Sequence, residues 1–205
     1  MIETEKQTTE EAKPDNVQKE YSAAEKYKPA VKQNSKFLSY IWTWTKDLVS
    51  AFIIVLVLYT YIFQFSQING NSMYPTLKNG ERVVVEKITG WAGNFERGDI
   101  ITLKYPKDIS KNYVKRIIAF ENETVTIKNG MVYVDGKLID EPYVKNVEPY
   151  ENLAPVTVPE GYLFVMGDNR PSSYDSRRWG FLPKGYAYGR VVFIFWPPKD
   201  IGFVD

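Results

Sequence analysis

Ser72 and Lys115 are the side chains around which covalent chemistry could be built. Ser72 sits in Asn69-Gly70-Asn71-Ser72-Met73-Tyr74-Pro75-Thr76-Leu77. A Gly, then a Ser, then a Pro describes a sharp exposed turn, which can present a hydroxyl together with free backbone N–H groups. Gly70-x-Ser72 is also half of a nucleophile elbow, without its second Gly. An ordinary loop serine carries the same local signature. Lys115 sits in Tyr113-Val114-Lys115-Arg116-Ile117-Ile118-Ala119-Phe120. On a strand alternate residues share a face, so Tyr113, Lys115, Ile117 and Ala119 fall on one side and Val114, Arg116 and Ile118 on the other. A lysine at its ordinary pKa of ~10.4 costs about 4.6 kcal/mol to deprotonate at pH 7. Burial disfavours the charged form and can bring the pKa to ~5–6. A lysine so placed can take the proton of a serine. A snorkelling strand lysine is the structural alternative.

Composition narrows the chemistry further. The 205-residue chain has no Cys and no His. That excludes a disulfide framework, a thiol nucleophile, the Ser-His-Asp triad and the commonest zinc ligand. Proton transfer falls to Asp, Glu, Lys or Tyr, unless the protein does no such chemistry. No metal and no cofactor is expected. A net charge of +1 with interspersed acids and bases gives no sign of nucleic-acid binding. Aromatic residues make up 15% of the chain, which suits a β-rich domain or one that touches a membrane interface.

Two further segments are rich in hydrogen-bonding groups. Arg97-Gly98-Asp99-Ile100 reads as a turn before a strand. Met166 to Gly180 holds Asp168, Arg170, Asp175 and Arg177 in one polar loop. Those four are suited to charge-assisted pairs that fix the loop, and a rigid polar loop is what a site beside it needs.

The elements that position these groups follow from patterning. Residues 1–33 are polar and charged and read as a disordered tail. Ser35 to Asp47 mixes aromatics with Lys36, Lys46 and Asp47, as in an interfacial helix; with the tail it makes a segment 1–47. Leu48 to Phe65 carries no charge and spans roughly 27 Å as a helix, close to the bilayer's hydrocarbon thickness. Tyr59, Tyr61, Phe63 and Phe65 would form an aromatic belt at its far end. Lysines 28, 32, 36 and 46 precede it, which predicts a cytoplasmic N-terminus and residues 66–205 outside. A cleaved leader is not expected, because the preceding polar region is long and no small-x-small site follows. From Ile68 the chain reads as short β-branched and aromatic runs cut by Gly, Pro, Asn and Asp. Asn129-Gly130 marks a hairpin and Asp135-Gly136 a second turn, within an insertion about 121–157. The expected fold is mostly β: one N-terminal transmembrane helix, then an all-β barrel-like or sandwich-like domain.

In combination these segments resemble type I signal peptidases, in a Gram-positive-like bacterial form. The resemblance covers roughly residues 48–200. It rests on the span followed by Ser72-Met-x-Pro-Thr-Leu, Arg97-Gly-Asp-Ile, Val114-Lys-Arg-Ile and Gly167-Asp-Asn-Arg-x-x-Ser-x-Asp-Ser-Arg. The Asn129-Gly130 hairpin, Glu141-Pro142-Tyr143 and the closing Arg190–Pro198 run also match. The resemblance implies a membrane-bound endopeptidase that removes signal peptides from secretory precursors after a small-x-small motif near the outer membrane surface. It implies Ser72 as nucleophile, Lys115 as general base and Ser173 as the hydroxyl that orients the lysine. It implies Asp175 and Arg177 as salt-bridged support, with Asp168 and Arg170 beside them. The oxyanion hole would use the backbone N–H of Ser72. Where some members have a serine hydroxyl as second donor, this chain has Gly70. The segment Ala119-Phe120-Glu121-Asn122-Glu123 also departs from the usual Gly-Asp turn after the lysine. The competing readings are an inactive membrane-anchored β-domain that binds partners, and a self-cleaving Ser-Lys protease of the repressor type, against which the span argues. A penicillin-binding enzyme is disfavoured because no Ser-x-x-Lys occurs. The sequence leaves the oligomeric state open.

Overall fold

A computed structural model of the chain describes residues 32–145 and 152–204. The expected polar tail, except for Lys32 and Gln33, lies outside the described residues. The described residues divide into two units, one up to Phe52 and one from Ile53 onward.

Helix α1 runs over Lys32–Val57 and passes into a π-helical stretch at Leu58–Ile62. Within it, Phe37–Ile62 is long and apolar enough to cross a membrane. Its 26 residues extend for about 39 Å. The expected helical span of Leu48–Phe65 is shortened at its far end. The interfacial segment is part of the same helix, and the helix stops at Ile62. Phe63–Gln67 is strand β1, paired antiparallel with β2 (Arg82–Glu86). An uncharged run does not reveal where a neighbouring strand begins to supply the hydrogen bonds. Phe63 and Phe65 are therefore strand residues, and Phe65 packs edge-on to Phe195.

The rest is β, as the punctuated runs predict. After β2 come a short helix α2 (Ile88–Ala92), β3 (Ile100–Tyr105) and the long β4 (Asp108–Ala119). A four-stranded antiparallel sheet follows: β5 (Thr124–Lys128), β6 (Met131–Val134), β7 (Lys137–Leu138) and β8 (Leu153–Thr157). Asn129 and Gly130 join β5 to β6 with φ of 50° and 79°. Both central residues of a type I′ turn need positive φ, which Asn and Gly tolerate best. The chain returns through β9 (Tyr162–Met166), α3 (Ser176–Trp179), β10 (Leu182–Pro183), β11 (Ala187–Trp196) and β12 (Gly202–Phe203). The main sheet has the order β1-β2-β11-β3-β4-β9-β10, with β12 on β11. Register shifts where β11 meets β2 and β3 are the bulges that bend and twist a sheet.

Two consequences matter for the site. The core cluster of Ile68, Met73, Leu77, Val83, Val85, Ile100, Val191 and Ile194 anchors the turn that carries Ser72. Strand β4 pairs with β3 along its length, but β9 joins it only from Arg116 onward. The other edge of Asn112–Lys115 is thus left without a strand partner among the described residues.

Candidate active site

Ser72 lies in the turn between β1 and β2, and Lys115 lies on β4. The structure brings them together across 43 residues of sequence: Lys115 Nζ donates to Ser72 Oγ at 2.8 Å and to Val114 O at 2.9 Å. Lys115 is only 3% exposed, on the face that strand alternation assigns to it. Its pKa is lowered to about 8: burial is the main cause, Asp175 and Asp168 pull it up, and Arg177 pushes it down. Deprotonation at pH 7 then costs about 1.4 kcal/mol, against about 4.8 kcal/mol from the ordinary 10.5.

The turn is pinned from several sides. Leu77 N–H donates to Met73 O at 2.9 Å, and both side chains are buried. Asn169 N–H donates to Ser72 O at 3.0 Å, and Asn169 Nδ2 to Asn71 O at 2.9 Å. Thr76 Oγ1 donates to Asp168 Oδ2 at 2.5 Å. The Ser72 N–H has no acceptor among the described residues. Gly70 has φ of 108°, a region that L side chains rarely adopt. A hydroxyl-bearing residue there would be strained even though the space is open.

Asp168 is gripped by Arg116, through Nε at 3.0 Å and Nη2 at 2.8 Å. Of the four charges expected to form pairs in this loop, Asp168 thus takes its partner from β4, outside the loop. The register Arg116↔Met166 sets Arg116 beside the strand end that leads to Asp168. Arg170 instead pairs with Glu141 at 2.5 Å and donates from Nε to Gly167 O at 3.1 Å. The expected pair of Asp175 and Arg177 is formed, with contacts of 2.8 and 2.7 Å. Asp175 Oδ2 also accepts the Gly167 N–H at 3.0 Å. Burial works to raise the Asp175 pKa, but the hydrogen bonds and charge of Arg177 with that N–H hold it below the usual carboxylate value.

Ser173 is placed beside the pair without joining it. Its buried Oγ helps to favour the Asp175 charge, yet falls short of hydrogen-bond geometry to any described group. Lys115 Nζ donates to Ser72 Oγ and Val114 O and not to Ser173 Oγ, so the expected Ser173–Lys115 hydrogen bond is not made. Ser173 and the Ser72 carbonyl both press on Gly167: a Cβ at that position would collide with Ser173 Oγ and Ser72 O.

Other groups at the site were not assigned roles from sequence. Arg116, Thr76 and Gly167 stood inside quoted motifs, and Glu141 and Tyr143 in Glu141-Pro142-Tyr143. Tyr143 lies 3.9 Å from the Arg116 guanidinium carbon, and its hydroxyl donates to Glu141 Oε1 at 2.9 Å. A motif search marks such residues but cannot pair them across the fold.

A groove of about 340 Å³ opens at Ser72 and Lys115 and runs between β1 and the free edge of β4, past Ile68, Ser66, Val114 and Gln64. No group of three or more His, Cys, Asp or Glu suited to hold a metal occurs among the described residues.

Residues 41–196 match the family described as signal peptidase, peptidase S26. The chain belongs to this signal peptidase family. Signal peptidase I of Bacillus amyloliquefaciens is 39% identical over 171 residues, which cover 78% of this chain and 88% of that one. Signal peptidase I S of Bacillus subtilis (strain 168) is 40% identical over 172 residues, covering 78% and 92%. A crystal structure of a signal peptidase I from Enterococcus faecalis V583 is similar at 33% identity, with a TM-score of 0.42, covering 47% of this chain and 95% of that one. As a signal peptidase of this family the chain is a serine-type hydrolase. The match to the signal peptidase family spans both Ser72 and Lys115 and every group described around them.

Proposed function

We propose that the protein removes signal peptides from secretory precursors by a Ser72–Lys115 dyad, cutting after a small-x-small motif at the outer membrane surface. One observation carries the dyad: a buried lysine with its pKa lowered to about 8 sits 2.8 Å from a serine hydroxyl at the head of a groove. Neutral Lys115 takes the Ser72 proton as Oγ attacks the scissile carbonyl. The unbonded Ser72 N–H stabilises the developing oxyanion, and Gly70, having no side chain, adds no hydroxyl donor to it. The lysinium then protonates the departing amine, and water hydrolyses the acyl-enzyme with Lys115 again as base. Ser173 orients Lys115 once Ser72 Oγ is acylated and that hydrogen bond is lost. Asp175–Arg177 and Asp168–Arg116 hold the loop and the turn in place, with Arg170 gripping Gly167 O.

The precursor lies extended along the free edge of Asn112–Lys115, which offers unpaired backbone groups to a peptide strand. The Phe37–Ile62 helix crosses the membrane once, with the N-terminus in the cytoplasm and the β domain that starts at Phe63 outside. The expected division into segments 1–47, 48–65 and 66–205 shifts accordingly to a helix that ends at Ile62.

The test is incubation of the purified full-length enzyme with a secretory precursor, followed by N-terminal sequencing of the product. Ser72→Ala and Lys115→Ala are each expected to abolish cleavage. Substantial activity in purified Lys115→Ala would sink the lysine-base mechanism. Protease protection in sealed vesicles checks the orientation: digestion of the β domain from the cytoplasmic face would refute it.

A further inference from the structure

The groove at Ser72 continues into a second hollow of about 370 Å³, lined by Gln64, Lys87, Trp91, Lys104, Asn112 and Tyr188. Gln64, Asn112 and Tyr188 line both, so the two form one trench. No acidic residue lines either part. Lys104 is exposed and stands opposite Asn112 in the β3–β4 pairing. Lys87 Nζ donates to Thr60 O at 3.0 Å, which leaves two of its N–H groups unused. Neither lysine forms an ion pair among the described residues. Two uncompensated cations thus face the far end of the trench, whose other charged lining group is Lys115 beside Ser72.

The position of that end fixes which part of a substrate reaches it. Thr60 lies in the last turn before the apolar helix gives way to β1, and Lys87 N–H donates to Ile62 O at 2.9 Å. A precursor whose apolar segment lies in the same membrane enters the trench here and meets Ser72 further along. The residues at the lysine end are therefore upstream of the cleaved bond. Asn112 is three residues from Lys115 along an extended strand, roughly 10 Å at the rise of a strand. A peptide extended from Ser72 reaches Lys87 and Lys104 with about its fourth to sixth upstream side chains.

On the proposed function, we infer that Lys87 and Lys104 form a cationic subsite that favours a carboxylate side chain, and disfavours a basic one, about four to six residues upstream of the cut. The continuity with the Ser72 groove, and the hydrogen-bonding groups of Gln64, Asn112 and Tyr188 between the two ends, favour a peptide as occupant over a lipid phosphate.

The experiment uses the full-length enzyme in uncharged detergent micelles and matched precursor peptides carrying Glu, Gln or Lys at the fourth, fifth or sixth upstream position. Partly exposed ion pairs are individually weak and salt-sensitive. The expected ratio of kcat/KM for the Glu over the Lys peptide is accordingly roughly tenfold at low ionic strength, falling toward one in molar salt. Lys104→Gln reduces the ratio to about threefold and Lys87→Gln with Lys104→Gln brings it to about one, each lost cation removing a share of the discrimination. Lys104→Gln alone keeps the test interpretable, because Lys87 also anchors Thr60. A ratio near one in the wild type, or one that survives in the double variant, overturns the subsite. So does a loss that is equal for all peptides and appears only in vesicles containing anionic lipid, which would assign the lysines to headgroup phosphate. Failure of the wild type to cleave any of the peptides would overturn instead the function on which the subsite rests.

Discussion

Replacing Lys115 by Met separates what the buried lysine does for chemistry from what it costs the fold. The folded pKa is about 8, against 10.5 for an unburied lysine. Below pH 8 both folded and unfolded chains carry the proton, and the folded state bears the full penalty of a buried charge. Between pH 8 and 10.5 the unfolded chain binds the proton and the folded chain does not, so this group makes stability rise with pH. The whole shift corresponds to about 3.4 kcal/mol, of which about 2.5 kcal/mol is recovered between pH 7 and pH 10. Met fills similar space without a charge, but it loses the hydrogen bonds to Ser72 and Val114 O, each contributing ~1 kcal/mol. At pH 7 the variant is therefore expected to be inactive and about 1 kcal/mol more stable than wild type. At pH 10 the order reverses, with the variant the less stable by about 1–2 kcal/mol. Urea unfolding of the two full-length proteins in detergent, followed by Trp fluorescence, measures the gap at each pH. The other groups that titrate are common to both proteins and cancel. A gap that stays constant from pH 7 to pH 10 would refute the argument that burial neutralises this lysine.

The same pKa predicts that kcat/KM rises about tenfold per pH unit below pH 8 and levels off above it. Lys115→Arg, which stays charged, should show no such limb and no activity at any pH. Gly167→Ala should lower cleavage by at least ~100-fold, because its Cβ needs the space of Ser72 O and Ser173 Oγ. A Gly167→Ala enzyme with near-normal kcat would show that the close approach at this point is dispensable. Glu141→Gln leaves Arg170, 3% exposed, without its counter-ion, and should cost about 3 kcal/mol in unfolding free energy. Its effect on cleavage should fall on kcat more than on KM, since Arg170 also holds Gly167 O; steady-state kinetics distinguishes the two.

The chemistry of the site was more legible in the sequence than the scaffold that supports it. The apolar run around Lys115 marked it for burial, although both faces of β4 are buried there, and the absence of His and Cys left few bases to pair with a serine. The Asn129-Gly130 turn was legible because its dihedral demand is local. The partner of Asp168 was not local. A sequence offers Arg170 two residues away, whereas the β4–β9 register supplies Arg116 from 52 residues away. The end of the apolar helix was misplaced for a related reason. Phe63 and Phe65 extend the uncharged run, but hydrogen bonding to β2 takes their backbone into a strand. Gly167 looks like one glycine among 13, and only the packing of Ser72 and Ser173 against it shows why no side chain fits.

The contacts of Glu141 with Arg170 and of Tyr143 with Arg116 set the segment after β7 apart from the turn before it, with different engineering value. At the Asp135-Gly136 turn the residues are exposed, and extra sequence there, such as an epitope or a fluorophore peptide, would hang in solvent. Between Asp140 and Tyr143 the chain is fastened to both arginines, and an inserted residue would draw Glu141 or Tyr143 off its partner. A reporter grafted at the first place should be silent. The same graft only a few residues later should throttle the enzyme, turning the Glu141–Tyr143 segment into a built-in point of external control over a site to which it contributes no reacting atom.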